Sequence, residues 1–116
     1  MISGIDLSAT VSYTLKADTE NPTVWKLGVL PSYLLGKMSM NIEKSEIEMA
    51  YKLLQISLKG WDNFNVEYKT VSENIYGRDM QVVPLAILEQ IPLNAISELA
   101  SKVLEINNLS SQERKN

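Results

Sequence analysis

The chain has 116 residues, 45% of them apolar and 22% charged, with a formal net charge of −3. That balance suits one folded domain rather than a disordered tail, and scattered lysines and arginines under a net negative charge give nucleic-acid phosphates little to hold. Cysteine and histidine are both absent, which excludes disulfides, thiolate metal sites, thiol nucleophiles and imidazole acid–base chemistry.

The N-terminus lacks the basic start and long apolar run of a secretory signal, and no stretch approaches a bilayer-spanning length. The expectation is therefore a cytoplasmic protein. From Thr10 to Leu15 the residues alternate, with Val11, Tyr13 and Leu15 on one side, as a half-buried strand requires. A second strand from Thr23 to Leu30 places Trp25, Leu27 and Val29 on one face, and the polar segment Ala17–Pro22 between them predicts a hairpin with a generous loop.

Pro31 and Ser32 end that strand. The segment Tyr33–Ile42 reads as a loop with room for a short helix, because Gly36 opposes the helix-favouring leucines and methionines around it. Ser45 and Glu48 then form an S-x-x-E capping box, which predicts a helix from about Ser45 to Lys59 with Gly60 as its stop. Its apolar face carries Ile47, Ala50, Tyr51, Leu54 and Leu58, widened by Met49, Leu53 and Ile56.

Trp61-Asp62-Asn63-Phe64 reads as a turn. The alternation of Phe64, Val66 and Tyr68 predicts a strand, Tyr76-Gly77-Arg78-Asp79 a second turn, and Met80–Val83 a returning antiparallel strand. Pro84 suits the first turn of a short helix ending at Ile91, and Pro92 forces a fresh start. From Leu93 to Ile106 a second helix carries the stripe Ile96, Leu99, Val103 and Ile106. The fold expected is α+β: an N-terminal β-hairpin, a central helix, a second β-hairpin and C-terminal helices. Residues 1–109 form the domain and 110–116 a polar tail. In that tail Ser110 and Glu113 repeat the S-x-x-E start signal, but three further residues cannot complete a stable helix.

The same residues carry no recognisable catalytic constellation. Glu43, Glu46 and Glu48 cluster at a helix N-terminus, where negative charge complements the macrodipole. None of GxGxxG, GxxxxGK[ST] or GxSxG occurs. Asp62, Asn63 and Asn65 lack the glycine and terminal glutamate of a calcium loop. The expectation is a non-enzymatic protein with no cofactor and no metal. Trp25 and Trp61 suit core packing, with interface anchoring as the alternative. The stripe Ile96, Leu99, Val103 and Ile106 is core by default and is otherwise the surface that receives a partner helix. It is the candidate protein-binding site.

Five segments together resemble the phage tail assembly chaperones, small proteins encoded among tail genes. They are Ile2-Ser3-Gly4-Ile5-Asp6-Leu7, Asn21-Pro22-Thr23-Val24-Trp25-Lys26-Leu27-Gly28-Val29, Leu58-Lys59-Gly60-Trp61-Asp62-Asn63-Phe64, Ile91-Pro92-Leu93 and Asn108–Asn116. The resemblance implies a chaperone that binds the helical tape-measure protein in the host cytoplasm, keeping it soluble while tail-tube subunits polymerise, with tube subunits and a second copy of the chain as further partners. It also implies a longer form made by a ribosomal frameshift near the end of this reading frame. The rival expectation, of a different class, is a virion structural subunit of the tail tube or head–tail connector.

Overall fold

A computed structural model describes residues 2, 4–39 and 46–115, with side chains at all of these except 39 and 108–115. In chain order they form β1 (Thr10–Tyr13), β2 (Val24–Gly28), α1 (Ser32–Ser39), α2 (Glu46–Ser57), β3 (Leu58–Asp62), β4 (Val71–Ile75), β5 (Arg78–Val82), α3 (Leu85–Leu88) and α4 (Leu93–Lys115). The class is α+β, with hairpins and helices in the order expected.

The first sheet is antiparallel in the order β1-β2-β3, and β4-β5 form a separate hairpin. The β1–β2 ladder runs without interruption from Thr10 opposite Gly28 to Tyr13 opposite Trp25. Between β2 and β3 the register shifts, so that Lys26 faces Gly60 while Leu27 faces Leu58. Lys59 is the extra residue of this bulge. Its side chain lies across Gly28, where an added Cβ would stand 2.7 Å from Lys59 Cε. Burial there pushes the Lys59 ammonium pKa below its usual value.

α2 is the hub of the molecule, packing on α4, α3, β5, β2 and β3. The core joins Trp25 and Leu27 of β2, Leu34 and Met38 of α1, Leu53, Leu54 and Ile56 of α2, Val82 of β5, and Ile96, Leu99 and Val103 of α4. Tyr13 and Tyr51, which alternation and periodicity also assign to the core, are half-buried at its margin.

Buried polar groups tie the layers together. Gln55 of α2 donates from Nε2 to the Val83 carbonyl at 3.0 Å and to Glu73 Oε2 at 3.1 Å, and its own carbonyl accepts the Val83 N–H at 3.0 Å. Asn107 of α4 accepts the Leu30 N–H at 3.0 Å through Oδ1 and donates from Nδ2 to the Val103 carbonyl at 2.7 Å. Because Asn107 is buried, Asn107→Ala leaves the Leu30 N–H without a partner and is expected to cost about 1–3 kcal/mol. Urea unfolding measures it, and a loss below about 0.5 kcal/mol contradicts this reading of the bond.

Several local expectations give way to tertiary pairing. Tyr33–Ser39 is helical, as part of α1, because Leu34 and Met38 reach the core from one side of it. Residues 40–42, Glu43 and the Ser45 half of the capping box lie outside the described residues. α2 ends at Ser57 and the chain passes directly into β3. Leu58, Gly60 and Trp61 therefore belong to a sheet, not to a helix end and turn, since the ladder with β2 offers each a partner. The strand expected at Phe64–Lys69 is irregular, and β4 begins only at Val71. Local alternation loses there because Phe64, Val66 and Tyr68 fold back onto the first sheet.

The second hairpin turns at Tyr76-Gly77, where positive φ values of 49° and 86° give the turn the twist that tight hairpins favour. Its return strand starts at Arg78, within the residues expected to turn. α3 is a single turn after Pro84 rather than a helix to Ile91. α4 continues through Lys115, so Ser110 starts no new helix, and the backbone of residues 110–115 prolongs α4.

Candidate functional site

The aromatic residues at the sheet come together in one cluster. Trp25 and Trp61 are cross-strand partners with centroids 5.8 Å apart at 68°. Phe64 sits 5.1 Å from Trp25 and 5.3 Å from Trp61, and Tyr68 lies 5.1 Å from Trp61. Trp61 Nε1 donates to the Val66 carbonyl at 2.8 Å, and the Tyr68 hydroxyl to the Leu58 carbonyl at 2.8 Å. These two bonds tie residues 64–68 to β3. The segments Asn21–Val29 and Leu58–Phe64, two of those carrying the resemblance, are thus adjacent strands and flanks of one packed unit. Both tryptophans serve packing: Trp25 is buried and Trp61 half-buried.

The polar groups that sequence reading singled out do not converge. Glu46 and Glu48 are exposed in the first turn of α2. Asp62 pairs with Lys26 at 3.5 Å, and the Asn63 amide donates to the Asn21 and Pro22 carbonyls. Asn63 thus holds the β1–β2 loop, while Asp62 is engaged with β2. Among the described residues no three acidic side chains gather as a metal cluster, and no helix is long and apolar enough to cross a membrane.

One polar junction links the first strand to α4. The Tyr13 hydroxyl donates to Glu98 Oε2 at 2.6 Å and the Lys16 N–H donates to the same oxygen at 2.9 Å. Those hydrogen bonds, the tyrosine's first, hold the Glu98 carboxyl below the usual carboxylate range. The bond to Glu98 correspondingly raises the Tyr13 phenol. Lys102 stands 5.5 Å from the Tyr13 ring centroid. The junction is a clasp between hairpin and helix. A second aromatic contact, Tyr33 with Arg78 at 4.7 Å and Lys37 at 5.6 Å, likewise joins α1 to β5.

The stripe expected to receive a partner is occupied by the domain's own core. Ile96, Leu99 and Val103 have no exposed surface, and Ile106 is half-buried against them. α2 lies against this helix and fills the groove a partner would need. This corrects the protein-binding assignment of Ile96, Leu99, Val103 and Ile106. The free apolar surface of α4 lies round the helix instead. Leu93, Ser97, Ser101 and Leu104 follow at helical spacings of four, four and three. All four are exposed, the two leucines at 54% and 39%. Two leucines flanking small serines leave a shallow strip where another helix can approach closely. Periodicity overlooked it because a two-leucine strip is weaker than the core stripe beside it. Comparison with protein-family profiles, with curated proteins and with solved structures finds no match to this chain.

Proposed function

We propose that this domain is a non-catalytic phage tail assembly chaperone, which holds a helical segment of the tape-measure protein in the host cytoplasm while tail-tube subunits assemble. The observation that carries the reading is the pair Leu93 and Leu104, exposed on one face of α4 with Ser97 and Ser101 between them. The five-segment resemblance supports the tail-assembly setting, and the absence of histidine and cysteine supports a binding role over chemistry. A long amphipathic chain exposes apolar stripes until its tube encloses it, and a small acidic cap limits its aggregation.

Co-purification of the full chain with helical tape-measure fragments tests the proposal. Wild-type protein is expected to retain the fragment. The double variant Leu93→Glu/Leu104→Glu is expected to weaken retention at least about tenfold, as loss of a central interface anchor does, with an unchanged melting temperature. Failure of the folded wild type to bind, or equal binding by the double variant, overturns the reading. A second reading, a tail-tube or head–tail connector subunit, draws on the outer edge of β1, which ring-forming neighbours use to extend a sheet. Mass spectrometry of purified virions separates the two: a chaperone is depleted and a subunit is present in ring-like stoichiometry.

A further inference from the structure

We infer that residues 10–20 form a strap that opens from the rest of the domain as one unit, pivoting at residues 21–23 and latched onto α4 by the Glu98 carboxylate. Among the described residues of 2–24 none is buried, whereas Trp25, Leu27, Gly28 and Leu30 directly after them are. β1 is the terminal strand of its sheet and packs broadly on β2 alone among the described elements. Tyr13 and Leu15 reach only the margin of the core. Little burial and a short ladder, from Thr10 opposite Gly28 to Tyr13 opposite Trp25, are the marks of a segment that opens well below the free energy of global unfolding.

Hydrogen bonds set the bounds of the unit. Its pivot is pinned, because Thr23 Oγ1 donates to the Asn63 carbonyl at 2.7 Å and the Asn63 amide donates to the Pro22 carbonyl at 3.3 Å. Asn21, at a positive φ of 50°, makes the bend beside that anchor. The turn closed by the Asp18 N–H on the Leu15 carbonyl and the bond from the Thr23 N–H to Asp18 Oδ2 are local and survive opening. Apart from the β1–β2 ladder, the hydrogen bonds that tie residues 10–20 to the helices end on one atom among the described residues. That atom is Glu98 Oε2, which accepts from the Tyr13 hydroxyl at 2.6 Å and from the Lys16 N–H at 2.9 Å. Two donors three residues apart on the strap thus depend on a single acceptor, and both are released together when it is lost. Lys102, 5.5 Å from the Tyr13 ring centroid, adds a weaker hold. Opening uncovers the edge of β2 that β1 occupies and the flank of α4 bearing Glu98 and Lys102, which follow the exposed Ser97 and Ser101 in sequence. The strap is therefore the cover of that flank. This inference does not depend on the tape-measure reading.

Native-state hydrogen exchange of the full chain, resolved by NMR, tests the strap. In the unmodified protein the amides of the β1–β2 ladder are expected to exchange at least about tenfold faster than the core amides of α4 and than those β2 amides that face β3. Glu98→Ala is expected to quicken the β1–β2 amides about tenfold further, as loss of bonds to a charged acceptor does, while leaving α2 and the β2–β3 ladder unchanged. Tyr13→Phe spares the Lys16 bond and is expected to give a smaller increase, about threefold. Glu98 and Tyr13 are both outside the buried core, so circular dichroism should show both variants folded. Exchange of the β1–β2 amides as slow as that of the α4 core overturns the inference. So does a Glu98→Ala effect that is absent from β1 or spread equally over α2. An unfolded Glu98→Ala chain overturns it as well, since the carboxylate would then hold the whole domain rather than the strap.

Discussion

Trp25→Ala is expected to lower the unfolding free energy by about 3–5 kcal/mol, whereas Trp25→Phe costs less than about 1.5 kcal/mol. Trp25 is 3% exposed and stands where β2 meets β3, its ring contacting Trp61 and Phe64. Truncation removes a buried indole from the sheet and leaves a void that Trp61 cannot fill while its Nε1 holds the Val66 carbonyl. Phenylalanine keeps an aromatic face toward both rings. It also removes a buried indole N–H that finds no acceptor, and burying such a donor is itself costly. Urea titration of both variants measures the difference. Equal losses would show that the indole N–H, or volume beyond a phenyl ring, contributes more than the packing indicates.

Leu99→Ala is expected to cost about 2–5 kcal/mol, while Leu104→Ala stays within about 1 kcal/mol. The two residues are five apart on one helix but face opposite environments. Leu99 has no exposed surface, while Leu104 retains 39%. A domain of this size has only about 5–15 kcal/mol of stability in total, so Leu99→Ala is expected to remove a large share of it and to lower the melting temperature. The pair separates the core side of α4 from its outer side by stability alone, with no partner needed. Similar losses at both positions would remove the distinction on which the Leu93–Leu104 strip depends. Carrying Leu104→Ala into the tape-measure co-purification then reads binding in a protein of nearly native stability.

The class of the fold and the order of hairpin, helix, hairpin and helices were legible in the sequence. So were the burial of Leu54, Leu88, Ile96, Leu99 and Val103 and the turn at Tyr76-Gly77. These rest on periodicity and turn chemistry, properties of neighbouring residues. Composition alone removed thiol and imidazole chemistry. Tertiary structure decided the rest. Whether Leu58–Asp62 continues α2 or becomes β3 depends on β2, some thirty residues earlier, because a strand is stable only where another strand satisfies its backbone. Whether Phe64, Val66 and Tyr68 form a strand depends on Trp61 and Leu58 offering them another place. The stripe on α4 reads identically as core or docking surface until α2 is placed against it. Amphipathicity reports that a face must be covered, and only packing specifies what covers it.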